Sequence, residues 1–176
     1  MVITSVNNNK IKDINKLKEK KYRDSSNSFL VEGEHLVIEA YRENLIKELI
    51  VLEDSNFILD GIPTIKVSRE VMKKLSSMDS YPSVIGVASK IKEKELGDAI
   101  LILDDIQDPG NLGTIIRSSA AFGIDTIVVS PKTVDIYNIK VLRATQGMLF
   151  HINIIVRELD SFITKLKQDN YKIYGT

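Results

Sequence analysis

The stretch LDDIQDPGNLGTIIRSSAAFGID, residues 103–125, holds the residues best suited to chemistry. An apolar run (residues 99–103) meets two aspartates and a Pro-Gly turn, then a helical segment with a single arginine, Arg117. On a helix, its neighbours three and four positions away are Gly113, Thr114, Ala120 and Ala121, all small. An exposed arginine usually has longer neighbours or a carboxylate at that spacing. The bare surround leaves room for a phosphate, another backbone or a partner subunit to reach the guanidinium. Small residues equally suit close helix packing, so spacing alone leaves both readings open. Pro109 fixes one backbone angle, Gly110 and Gly113 permit close approach, and Asn111 is suited to cap the helix or bond a ligand. Ligands of an open parallel sheet collect outside the carboxyl ends of its strands, where DDIQDPGNLG falls. A plain turn followed by a cap accounts for Asp-Pro-Gly-Asn just as well.

Other chemistries are poorly supported. The dinucleotide fingerprint G-x-G-x-x-G is absent, since only Gly110, Gly113 and the distant Gly123 are present, and no Gly-Lys-Ser/Thr follows the turn. The chain has no cysteine, which excludes disulfides and thiol catalysis, and its two histidines, His35 and His151, have no partner at metal-ligand spacing. His35 reads as a helix-surface or packing residue and His151 as structural. The first ten residues lack a secretory pattern, and no apolar run approaches the ~18 residues that span a bilayer. A cytoplasmic protein without membrane association is expected. Net charge is zero, yet residues 10–23 carry seven basic and two acidic side chains. Such a run is usually a solvated face, but it can also contact RNA phosphate.

The elements that must position these residues alternate between strand and helix. Residues 9–21 place Ile11, Ile14 and Leu17 at helical spacing among lysines. FLVEGEHLVIEAYREN reads as a strand and a helix, IKELIVLED and PTIKVS as strands, REVMKKLSSM as a helix and SVIGVAS as a strand. This is one small α/β domain, residues 1–90. The charged segment KIKEKELGD supplies a linker, 91–97. A second alternation fills 98–176: strand AILILDD, a helix over about 112–122, strand DTIVVS, a helix near IYNIKVLRA, strand LFHINII, helix LDSFITKLKQ and strand YKIYGT. Helices between apolar strands imply a parallel sheet with right-handed crossovers.

Residues 103–130 closely resemble the first signature of the SpoU (TrmH-like) RNA ribose methyltransferases of the knotted SPOUT superfamily. IYNIKVLRATQGMLFHINI resembles the second, in which an arginine, a Ser/Thr and a glycine recur as Arg143, Thr145 and Gly147. Residues 3–40 are similar to the family's substrate-binding domain, which resembles ribosomal proteins that bind kinked RNA. The resemblance implies methyl transfer from S-adenosylmethionine to a ribose 2′-hydroxyl, most often in ribosomal RNA, with no metal. It casts Arg117 as the residue that acts on that hydroxyl and Asn111 as its support. Arg143 is cast as a contact for substrate phosphate, and the full-length form as a homodimer. Lys10, Lys12 and Arg23 are the RNA-contact candidates, and Tyr174, Gly175 and Thr176 match the strand end that borders the cofactor. Glu32-Gly33-Glu34, a hallmark of the family, reads as a fold determinant.

A third signature, a GNEG-like turn, an IPM-like strand and an SLN-like helix start, is expected beyond YKIYGT and is absent. The chain thus resembles the substrate domain plus the first part of an incomplete SPOUT domain. The expectation is an inactive or weakly active truncation with little affinity for the cofactor. A non-catalytic RNA-binding protein is the alternative.

Overall fold

The computed structural model describes residues 2–175. The first sheet is built from β1 (Val2–Ile3), β2 (Ser28–Glu32), β3 (Ile46–Leu52), β4 (Thr64–Val67) and β5 (Val84–Ser89). Its order is β1-β4-β3-β5-β2, with β4 parallel to both β1 and β3, and β5 antiparallel to both β3 and β2. Around it lie α1 (Asn9–Lys16), α2 (Lys20–Ser26), α3 (Glu34–Arg42) and α4 (Arg69–Leu75). The second sheet is parallel throughout, in the order β6 (Ile100–Leu103), β7 (Thr126–Val129), β8 (Asn153–Val156). It carries α5 (Pro109–Ala121), α6 (Ile139–Ala144) and α7 (Leu159–Gln168), with a 3₁₀ turn at Met148–Phe150.

Side chains of a strand alternate between faces, and here the alternation defines three packed layers. Ile50 of β3 faces α1 and α4, packing with Ile11, Ile14, Val71, Met72 and Leu75. Its neighbours Leu49 and Val51 face the other way, into a core that also holds Val37 of α3, Leu112 and Ile116 of α5, and Val141 and Leu142 of α6. Ile127 and Val129 of β7 enter that same core from the far side, whereas Val128 packs with Phe162 and Leu166 of α7. The middle layer is therefore shared by both sheets. Strands covered on both faces are apolar throughout, as in the fully buried TIVV of β7.

Residues 90–99 join the sheets without helix or ladder until β6 begins, but they are fastened along their length. Ile91 N donates to Tyr137 Oη at 2.9 Å, Lys94 N donates to Asn153 Oδ1 at 3.0 Å, and Glu93 pairs with Arg157 at 2.7 Å. Arg23 and Asp135 form a buried ion pair across the layers at 2.6 Å. Glu32 accepts from Ser76 Oγ at 3.0 Å and Ser77 N at 2.9 Å, and Glu34 accepts from Ser83 Oγ at 2.7 Å, so the Glu-Gly-Glu stretch fixes the fold around the start of α3.

One expected element is missing. YKIYG forms no strand: after α7 the Tyr171 N donates to Leu166 O at 3.0 Å, which closes the helix, and Tyr171 Oη reaches Gly97 O at 3.3 Å. Residues 172–175 pair with no strand, and among the described residues the second sheet has three strands rather than four.

Candidate active site

The site is assembled where β6 and β7 end side by side. The loop after β6 is stapled to the loop after β7: Asp105 N donates to Ser130 Oγ at 2.8 Å, Val134 N to Ile106 O at 2.9 Å and Gln107 Nε2 to Lys132 O at 2.7 Å. From this platform α5 starts at Pro109, whose missing N–H costs nothing at the first helical position. The cap is Asp108, whose Oδ1 accepts from Asn111 N at 2.7 Å. The expectation that Asn111 caps the helix is thus corrected. The proline two residues before it already fixes the helix start, and the aspartate ahead of the proline takes the capping role. Asn111 sits in the first turn, exposed, with its amide engaged by no residue described here.

Leu112, Gly113, Ile116 and Ser119 form the buried side of α5. Gly113 is a packing glycine: a Cβ there would lie 2.3 Å from Ala144 Cβ and 3.0 Å from Val141 O, both on α6. The small residues of this helix therefore split between the two readings open in the sequence. Gly113 serves close helix packing, while Thr114, Ser118 and Ala121 flank Arg117 on the open side. Arg117 is exposed and makes no hydrogen bond or ion pair among the described residues. Phe122, at the end of the same helix, is 85% exposed.

The second-signature segment divides in the same way. Thr145 is fully buried and donates to Leu142 O at 2.7 Å. Gly147 has φ +89°, and a Cβ on it would lie 2.8 Å from Glu39 Cγ, so it serves the fold on two counts. Arg143 is half-buried, and its guanidinium has no partner among the described residues. The two arginine-bearing helices are in direct contact through Gly113 and Ala144.

The remaining candidates scatter. Arg23 is buried and spent: Nε and Nη2 donate to Asp135 Oδ2 at 3.1 and 2.6 Å, and Nη1 donates to the carbonyls of Leu17 at 3.0 Å and Lys18 at 2.7 Å. With four of its five N–H donors taken and its side chain buried, Arg23 is withdrawn as an RNA contact. Lys10 pairs with Glu48, whereas Lys12 is exposed and free of partners among the described residues. Tyr174 is 85% exposed and Gly175 meets nothing within 4 Å, so neither walls a cavity fit for an adenosyl group. Thr176 lies outside the described residues.

Both histidines join the layers. His35 Nε2 lies 3.1 Å from Gln146 O, while His151 Nε2 lies 2.8 Å from Glu39 Oε2, with its Nδ1 3.3 Å from Glu43. His151 beside it, with Arg42 adding, holds the Glu39 carboxyl below the usual carboxylate value against the opposing effect of burial. No group of three or more His, Asp or Glu side chains among the described residues is placed to hold a metal ion. No described helix is long and apolar enough to cross a membrane.

The fold is of the α/β class, and at the carboxyl end of its parallel sheet the helix that carries the exposed Arg117 packs closely on a second helix that carries Arg143. Comparison with known proteins agrees with that class and narrows it. Residues 98–176 match the model of the SpoU rRNA Methylase family, and residues 8–86 match the MRM3-like substrate binding domain. The chain belongs to the SpoU rRNA methylase family.

The 23S rRNA (guanosine(2553)-2′-O)-methyltransferase RlmP of Bacillus subtilis is 39% identical over 99% of this chain and 72% of its own length. The human mitochondrial rRNA methyltransferase 3 is 28% identical over 79% of this chain, which spans 37% of that protein. Among solved structures, an RNA 2′-O ribose methyltransferase superposes with a TM-score of 0.80 at 30% identity, covering 97% of this chain and 70% of its own. The AdoMet-bound rRNA methyltransferase of Sinorhizobium meliloti does so with a TM-score of 0.80 at 31% identity, covering 95% and 68%.

Proposed function

We propose that this protein methylates the 2′-hydroxyl of a ribose in ribosomal RNA, with S-adenosylmethionine, the family's cofactor, as the methyl donor. The observation that carries the reading is the unengaged guanidinium of Arg117 on the open face of α5. A ribose hydroxyl is a weak nucleophile, and its oxygen gains negative charge as its proton passes to solvent water. Arginine keeps its own proton at working pH, so Arg117 acts by orienting the hydroxyl and stabilising the developing charge rather than as a base. Asn111, six residues earlier on α5, supports the sugar by hydrogen bonding. Arg143, from the helix packed against α5, takes a neighbouring phosphate through its planar fork of donors.

The amino-terminal unit, residues 1–90, presents the RNA, and the unit over 98–176 performs the transfer. Lys12 contributes to RNA binding from the exposed side of α1. The exposed Ala121 and Phe122 at the end of α5 support a homodimer in which a second copy covers this face. The similarity to the bacterial enzyme RlmP supports a cytoplasmic location.

The test is transfer of labelled methyl groups to ribosomal RNA by the full-length protein. Arg117→Ala is expected to lower transfer by two or more orders of magnitude while RNA affinity stays within about threefold. Arg117→Lys, which keeps the charge but loses the fork, should recover only part of the rate. Equal transfer by the parent and Arg117→Ala overturns the catalytic assignment. RNA binding with no transfer by the parent favours the non-catalytic RNA-binding reading.

A further inference from the structure

Helix α6 ends at a corner formed by residues 145–147. A helix commonly stops on a residue in the left-handed conformation just past its cap, and glycine is the usual choice because it has no Cβ to strain. With Thr145 as the cap, that place falls to Gln146, at φ +50°. The other non-glycine residues with positive φ among those described are Asn27, Asn44, Asp105 and Asn170, the two types whose short polar side chains tolerate it. A glutamine held in that conformation, with a glycine next in the chain, has its reason in the contacts it makes.

The backbone N–H of Gln146 and its side-chain Nε2 both donate to Arg143 O, at 3.2 and 3.0 Å, so the carbonyl of the second arginine is tied down from two directions. The carbonyl of Gln146 in turn lies 3.1 Å from His35 Nε2 on α3. A carbonyl only accepts, so the ring nitrogen is the donor. One turn further along α3, Glu39 closes on the next residue: a Cβ on Gly147 would lie 2.8 Å from Glu39 Cγ. Helix α3 belongs to the amino-terminal unit, so that unit grips the end of the Arg143 helix at two points. His35 and Gln146 are both exposed, and exposed side chains usually matter little to stability. The consequence of their link lies in where it puts the end of α6.

We infer that His35, acting through Gln146, is a positioning residue for Arg143, a conclusion that rests on the methyltransferase reading above. The guanidinium of Arg143 has no partner among the described residues, so its placement depends on the backbone that carries it. One flank of α6 is set against α5 through Gly113 and Ala144. The bond from His35 to Gln146 sets the end of the helix, two residues past Ala144. The unit that presents the substrate thereby holds the pose of an arginine that belongs to the unit performing the transfer.

The experiment measures kcat/KM for RNA in methyl transfer by the full-length protein, beside the urea midpoint. His35→Phe keeps a ring and removes the donor. It should lower kcat/KM about five- to twentyfold, part of the hundredfold that a misplacement near 1 Å costs, with the midpoint nearly unchanged. His35→Gln supplies an amide donor in place of the ring nitrogen and should return kcat/KM to within about twofold of the parent. Gln146→Gly relieves the left-handed strain but removes the side-chain bond, so the midpoint should hold or rise while kcat/KM falls. In an Arg143→Ala background, His35→Phe should change kcat/KM by less than about twofold, because the residue it acts through is gone. Parental kcat/KM in His35→Phe, a glutamine variant no better than the phenylalanine one, or an equal loss with and without Arg143 overturns the positioning role alone. A parent that transfers no methyl group overturns the functional reading, and the positioning role falls with it.

Discussion

Gly113→Ala sets two physical effects against each other. In a helix interior, alanine is favoured over glycine by up to about 1 kcal/mol, because glycine loses more backbone entropy on folding. At this position the new Cβ would lie 2.3 Å from Ala144 Cβ. Carbon atoms pack best about 3.5–4.0 Å apart, so the helices must part by roughly 1.2–1.7 Å along that line. The other atoms in the way, Val141 O at 3.0 Å and Ala144 C at 3.1 Å, belong to the backbone and cannot swing aside. Overpacking of this kind costs about 1–3 kcal/mol, which exceeds the propensity gain. The net expectation is a loss of about 1–2 kcal/mol, read as a lower urea midpoint at unchanged m-value. Because α6 carries Arg143 and α5 carries Arg117, the same displacement changes the distance between the two guanidinium groups. A misplacement near 1 Å is enough to cost about a hundredfold in rate, so methyl transfer should fall further than stability does. Ala144→Gly removes the opposing methyl, and the double variant should recover a coupling energy of about 1 kcal/mol beyond additivity. A Gly113→Ala protein as stable as the parent, or more so, would show that propensity dominates and that contact between the helices does not set the site.

Three further substitutions test the seam between the layers. Asp135→Ala strands the buried Arg23 with only the carbonyls of Leu17 and Lys18, and a cost of about 2–3 kcal/mol is expected by chemical denaturation, below the full value for a broken buried pair because those carbonyls remain. Glu39 is held below its ordinary pKa of 4.5, chiefly by His151, so its contribution is present above that value and is lost as pH falls through the folded-state value. Glu39→Gln should flatten the acid limb of the stability profile measured by urea midpoints. Burial, the largest influence, pushes the Tyr137 phenol up to about 12, against the opposing hydrogen bond from Ile91 N. Its stabilisation is complete below pH 10 and is lost from there to about 12. Tyr137→Phe should abolish that alkaline loss while costing about 1–2 kcal/mol at neutral pH, since Ile91 N–H loses its acceptor.

What could be read from the chain follows the range of the interactions. The apolar runs of β6, β7 and β8, the helix over α5 and the bare flank of Arg117 are local patterns, and local patterns carry their own periodicity. Arg23 sits among lysines and reads as one more solvated cation; its partner Asp135 lies 112 residues away, and nothing near Arg23 marks it as buried. His151 looked isolated for the same reason, with Glu39 also 112 residues distant. Asn111 was misread because three capping-type residues fall within four positions, and only the geometry shows that Asp108 accepts the bond. The YKIYG segment has the composition of a strand, but composition supplies no ladder partner.

The shared middle layer bears directly on how such a protein chooses its target. A binding unit on a flexible tether samples many distances from its catalytic unit and selects a substrate mainly by local affinity. Here α3, α5 and α6 bury their side chains in one core with both sheets, and residues 90–99 are bonded to Tyr137, Asn153 and Arg157 rather than left free. The separation between the lysine-lined face of α1 and α4 and the guanidinium of Arg117 is consequently a property of the packed fold. On the proposed function, RNA held at the amino-terminal unit would offer Arg117 only those ribose groups that lie at the matching distance and angle. Selection would then depend on the shape of the RNA between the two contacts. Loosening the seam would widen the set of reachable sugars before it weakened binding.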